Sequence, residues 1–226
     1  MLMRTTIPDI ATRPQACRRA PAETSLAVDA IELMGATMSY ARNSEIYGEG
    51  EPADYLYKVL SGTVRTSKIL SDGRRQIGSF YLPDDMFGLD GGEMHAFSAE
   101  AITQAHILVI KRSALIALAA RDGDVARELW ALTGRELARA QEHVLLLVKT
   151  AQERVVGFLL EMAARAPAGD TIELPMSRQD IADYLGLTIE TVSRTLSTLE
   201  GDGTIGLPSS RRVVLRKRAT LGRLNA

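Results

Sequence analysis

Hydrophobic and polar positions follow three different rhythms along this chain. From residue 44 to residue 110, short apolar runs are broken by turn signals at regular spacing. Residues 55–60 form one run, Ser61-Gly62 interrupts it, and residues 63–70 form the next. Ser71-Asp72-Gly73 marks a hairpin, residues 76–82 resume the strand pattern, and Pro83-Asp84-Asp85 ends it. Two more strands are predicted, near 99–104 and 106–110. Many short, evenly spaced strands predict an antiparallel sandwich or barrel. A βαβ enzyme fold needs helices between its strands, and the spacing leaves no room for them.

A helical rhythm takes over from Asp124 to Lys149, a stretch without proline whose one internal glycine is Gly134. Val125, Leu129, Leu132, Leu137, Ala140, Val144, Leu147 and then Ala151 fall on one face at the helical period. Leu132 and Ala140 stand eight residues apart, so a strict heptad is broken and no long leucine zipper is expected. Glu136 and His143 fall inside the stripe, where they either set its register or sit at its rim. A second helix is predicted over 151–165, with Val155, Val156, Phe158, Leu159 and Met162 for packing. Ala166-Pro167-Ala168-Gly169-Asp170 then breaks the chain.

The third rhythm, over residues 177–200, is that of a helix-turn-helix. Ser177 followed by Asp180 is an N-terminal capping pattern, and Gly186 supplies the positive φ of a tight turn between helices. Thr188 caps the second helix. Ile181, Leu185, Val192, Leu196 and Leu199 pack the two helices together. Glu190, Ser193 and Arg194 are then left on one outer face, at the N-terminal end from which recognition helices reach base edges. Arginine forks onto guanine O6 and N7, and glutamate accepts from cytosine N4, so these three are the expected base contacts. The plainer alternative is a solvated helix surface with a Glu190–Arg194 ion pair.

Charge sharpens this picture. From Gly203 onward no acidic residue occurs, while Arg211, Arg212, Arg216, Lys217, Arg218 and Arg223 do. Residues 204–207, a turn over 208–212 and residues 213–215 read as a hairpin wing with a basic tip. Ser177, Arg178, Thr188, Thr191, Arg211 and Arg212 are the expected phosphate contacts. The formal net charge of the whole chain is only -1, so the basic surface is local. A helix-turn-helix of this kind reads palindromes as a two-fold dimer. The long helix is therefore read as the seam, carried by Val125, Leu129, Leu132, Glu136, Ala140, His143, Val144 and Leu147; its alternative is a helix packed only on its own strand domain.

At 226 residues and 46% hydrophobic the chain is globular and natural for two domains. No apolar run is long enough to span a bilayer, and the arginine-bearing N-terminus has no apolar core of a secretory signal. That segment reads as a poorly ordered arm. One cysteine, Cys17, excludes an internal disulfide and suits a reducing cytoplasm. His95, His106 and His143 have no metal-ligand spacing, and no nucleophile–base pairing or phosphate loop suggests an enzyme.

From about residue 36 to the end, the chain resembles the CRP/FNR superfamily of transcription regulators. The likeness is most specific at Gly48-Glu49-Gly50-Glu51-Pro52-Ala53-Asp54-Tyr55-Leu56-Tyr57, Ser61-Gly62, Asp72-Gly73-Arg74-Arg75-Gln76, Pro83-Asp84-Asp85-Met86-Phe87-Gly88 and the helix-turn-helix. Glu190-Thr191-Val192-Ser193-Arg194 is similar to the Glu-x-x-Ser-Arg tip of the FNR and FixK branches. The resemblance implies an α+β fold: a flexible arm (1–24), an antiparallel β-roll like cyclic-nucleotide-binding domains (25–121), a dimerisation helix (122–150) and a winged helix-turn-helix (151–226). It also implies TTGA-type inverted repeats, with Glu190 and Arg194 reading the G·C pair and Ser193 a neighbouring thymine.

The departures from the family pattern carry information too. Cyclic-AMP-binding members have an Arg-Ser pair after the Phe-Gly-Glu motif; here residues 87–100 hold no arginine, and a phosphate would face Asp90, Glu93 and Glu100. Oxygen-sensing members hold an iron–sulfur cluster on four cysteines, which Cys17 alone does not supply. The FixK-like branch, which lacks both devices, fits best. The expectation is a cytoplasmic activator without cofactor or metal, whose partners are palindromic duplex DNA, a second copy of itself and RNA polymerase. A β-roll binding some unidentified small ligand, in a cavity lined by residues 80–100, is the competing expectation.

Overall fold

A computed structural model describes Ile31 and residues 33–165 and 169–225. The expected N-terminal arm, Cys17 and most of the break at 166–170 lie outside the described residues.

Eight strands build the first region: β1 (Ala36–Tyr40), β2 (Glu45–Tyr47), β3 (Tyr55–Ser61), β4 (Val64–Ile69), β5 (Arg75–Tyr81), β6 (Met86–Phe87), β7 (Ser98–Ala101) and β8 (Ala105–Lys111). They form two antiparallel four-stranded sheets, ordered β1-β8-β3-β6 and β2-β7-β4-β5. Alternation along the strands turns Val59, Val64, Ile107 and Ala99 into a core between the sheets, joined by the stacked rings of Tyr57 and Phe87, 5.0 Å apart. Gly62 makes the β3–β4 turn at φ 87°, where a Cβ would stand 2.3 Å from the carbonyl oxygen of Gln104. The β-roll expected from the resemblance is the observed architecture.

Two helices leave the roll. The first, α1 (Arg112–Ala119), follows β8 without a connecting loop and has no side-chain cap, so its start carries no sequence signal of the usual kind. Asp122 caps the second, α2 (Gly123–Leu147), by accepting from the backbone N–H groups of Asp124 and Val125. Its inner face takes Val125 out of the expected dimer seam. Val125 is completely buried in its own chain with Ile110 and Leu115, and Leu129 and Leu132 pack on the same cluster. Glu136 accepts from the Tyr81 hydroxyl at 3.3 Å and pairs with Arg139 at 2.8 Å. His143 stacks on Tyr184 of its own chain, 4.0 Å between ring centroids. All five thus have partners within their own protomer, and all but Val125 keep part of their surface open. The stripe left open flanks that face: Trp130, 83% exposed, with Val148 and with Leu137 and Val144 of the expected stripe.

Three helices, α3 (Ala151–Arg165), α4 (Arg178–Leu185) and α5 (Ile189–Gly201), make the C-terminal bundle, followed by α6 (Arg218–Leu224). Strands β10 (Ile205–Ser209) and β11 (Arg212–Leu215) form the wing, and β9 (Thr171–Glu173) adds a third strand in the order β10-β11-β9. One continuous core joins this bundle to the roll: Ile77, Phe80 and Ile102 cluster with Phe158, Leu159, Tyr184 and Leu185. Phe80 lies 5.2 Å from Tyr184, ring to ring.

Candidate nucleic-acid interface

The helix-turn-helix is built by its caps. The Ser177 hydroxyl accepts from the Asp180 N–H at 3.1 Å, and Asp180 in return accepts from the Ser177 N–H at 2.9 Å. Gly186 ends α4 in the left-handed region, at φ 61°. Arg154 reaches from α3 to donate to the Leu185 carbonyl at 2.9 Å and fastens the turn. The Thr188 hydroxyl accepts from the Thr191 N–H at 3.2 Å and starts α5. Val192, Leu196 and Leu199 are buried along the inner face of α5. That burial fixes which side chains point out.

Those outward side chains are the expected ones. Glu190 and Arg194 are exposed and Ser193 is half-buried beside them. The Glu190 carboxyl is held below its ordinary value, first by its own backbone N–H at the helix start, then by the Thr188 hydroxyl.

The expected phosphate contacts divide. Arg211 sits exposed at the wing tip, where the turn is shorter than expected because Ser209 and Arg212 already pair across the hairpin. Arg212 forms a salt bridge with Glu173 on β9, so part of its charge is offset. The Ser177 hydroxyl donates to Asp180 at 2.7 Å while accepting from the Asp180 N–H. Its proton is thus held inside the cap. Thr188 and Thr191 share one hydroxyl–hydroxyl bond of 3.1 Å. Arg178 is half-buried at the first turn of α4.

A cavity of about 450 Å³ lies between the roll and α2, lined by Tyr47, Ser79, Phe87, Phe97 and, from α2, Glu136 and Arg139. It does not suit a cyclic phosphate. Its arginine, Arg139, is already paired with Glu136 at 2.8 Å and with Asp85 at 3.4 Å, and among the described residues no second arginine lines the space. Glu100, expected to face such a ligand, instead binds Arg65 at 2.8 Å. Phe80, placed in the expected lining, belongs to the core shared with the helices.

A capped helix pair with an outward polar tip, a basic wing and an antiparallel roll defines a winged helix-turn-helix transcription regulator that binds DNA. Residues 153–224 match the Crp-like helix-turn-helix domain, and residues 37–122 match the cyclic nucleotide-binding domain. The chain is 52% identical to the nitrogen fixation regulation protein FixK of Azorhizobium caulinodans, over 90% of this chain and 85% of that one. It is 37% identical to the transcriptional activatory protein AadR of Rhodopseudomonas palustris, over 83% and 81%. The structure of FixK2 from Bradyrhizobium japonicum superposes with a TM-score of 0.82 at 52% identity, covering 85% of this chain and 98% of that one. The chain belongs to the CRP/FNR family, in its FixK branch. It is a regulator rather than an enzyme, and no helix among its described residues is long and apolar enough to cross a membrane.

Proposed function

We propose that the chain acts as a homodimer on an inverted repeat of TTGA-type half-sites, binds it without an effector, and activates transcription by recruiting RNA polymerase. The exposed Glu190, Ser193 and Arg194 at the tip of α5 carry the reading. A buried inner face and capped ends fix that helix, so its polar tip is presented without further folding. Support for the second copy comes from Trp130, Leu137 and Val144, which repeat every seven residues on the open face of α2. That spacing suits a self-complementary helical seam. Activation is supported by AadR, which is named as an activator. Independence from an effector is supported by the paired state of Arg139 in the roll cavity.

Base reading is tested at Arg194. Arg194→Ala is expected to cost about 1–3 kcal/mol on the specific repeat and little on random duplex. Equal losses on both would make Arg194 a phosphate contact. The roll cavity favours one second reading, a regulator gated by a small uncharged ligand, because its lining is aromatic and its charged residues are paired among themselves.

A further inference from the structure

Asp180 does two jobs at once. One carboxylate oxygen closes the cap of α4, accepting from the Ser177 N–H at 2.9 Å and the Ser177 hydroxyl at 2.7 Å. The other accepts from Arg65 at 2.6 Å and from Arg75 at 2.8 Å. Both arginines come from the β4–β5 hairpin of the roll. Arg75 donates also to Asp183 at 2.8 Å, Arg65 to Glu100 at 2.8 Å, and Gln76 to the Tyr184 carbonyl at 3.2 Å. Arg65 and Asp180 are buried, 9% and 4% exposed.

Buried ion clusters are poor sources of stability, because desolvating the charges offsets their attraction. They are directional, however, and guanidinium–carboxylate forks fix angles as well as distances. The apolar junction beside the cluster, where Phe80 meets Phe158 and Tyr184, imposes no such angle. The first helix of the helix-turn-helix is thus glued to the roll by apolar contact and oriented by charge. Two recognition helices must enter successive major grooves one turn apart, so a small rotation at this junction is magnified at α5.

We propose that Arg65 and Arg75 are positioning residues for operator binding: with Asp180 and Asp183 they hold the helix-turn-helix in its DNA-competent orientation in the absence of any bound effector. The inference rests on the homodimer–palindrome reading. Neither arginine lies on the DNA-reading face of α5, so the effect runs through orientation alone.

The test is a spacing series. The full-length protein is titrated onto duplexes whose two half-sites are set about one helical turn apart, centre to centre, and one or two base pairs closer or farther, and onto a single half-site. Wild type is expected to show one sharp optimum. Arg75→Gln leaves the Arg65–Asp180 pair in place, so the chain keeps its fold; it is expected to lose about tenfold at the optimum, change little on the single half-site, and flatten the series. Arg65→Gln is expected to lose the optimum, and so is Arg65→Lys, which keeps the charge but not the fork that bridges Asp180 and Glu100. Uniform loss at every spacing and on the half-site would reduce the cluster to plain structural support and overturn the proposal. So would unchanged binding, or tighter binding, which would make the cluster a restraint on DNA binding. A wild-type protein with no spacing optimum would remove the palindrome reading itself and the latch's role with it, a failure visible before any variant is made.

Discussion

Glu190 shows how a single residue is prepared for its partner. Its carboxyl is held below the ordinary glutamate value of 4.5 by hydrogen bonds at the start of α5. It therefore stays a hydrogen-bond acceptor as pH falls, and loses that role only when protonated below that value. The ratio of specific to random binding is expected to stay constant from about pH 8 to about pH 5, measured by anisotropy at fixed salt. A ratio falling across that window would mean that another titrating group reads the site. Glu190, Ser193 and Arg194 were legible in the sequence because cap, turn and period are local signals. Asp180 was legible only in part. Its cap with Ser177 is written three residues away, whereas Arg65 and Arg75 lie more than a hundred residues upstream, and no spacing rule links them. Arg154, which pins the turn from α3, was silent for the same reason.

Elements with chemical punctuation were readable, and those without it were not. Ser177, Gly186 and Thr188 mark the helix-turn-helix closely, and residues 151–165 were foreseen as the helix α3 proves to be. By contrast, α1 and α6 begin at Lys111 and Lys217, neither of which caps through its side chain. The short strands β2, β6 and β9 exist through pairing with distant partners, which local pattern does not encode. In the wing, pairing of Ser209 with Arg212 leaves Ser210 and Arg211 alone at the tip. Arg211→Ala is expected to weaken binding to all sequences alike and to lower the salt slope by about one. Arg212→Ala should lower it less, since Glu173 already offsets its charge. Equal slopes for both variants would show that the Glu173 pair opens on DNA. A slope unchanged by either would take the wing off the DNA.

At the scale of the molecule, the two regions expected from composition prove to share one core, with Phe80 of the roll packed between Phe158 and Tyr184. The long helix divides its faces accordingly. Val125, Leu129 and Leu132 hold it to its own roll, and Trp130, Leu137 and Val144 remain for a second copy. Leu137 and Val144 were legible in the sequence as members of the apolar stripe, whereas Trp130, seven residues before Leu137, falls outside the inner stripe's period and was not read with them. Because Leu137 is exposed in the protomer, Leu137→Glu is expected to leave the fold intact, shift sedimentation toward monomer and weaken binding to the repeat. A variant that stays dimeric would place the seam elsewhere.

The central claim is a regulator that reads an inverted repeat without an effector. Its most direct test is fluorescence anisotropy of the purified protein, with nothing added, on a TTGA inverted repeat and on a duplex with both half-sites scrambled, at one salt concentration. The account predicts tight binding to the repeat, more than about a thousandfold tighter than to the scrambled duplex. Equal, weak binding to both would contradict it and turn attention to a ligand for the cavity between the roll and α2.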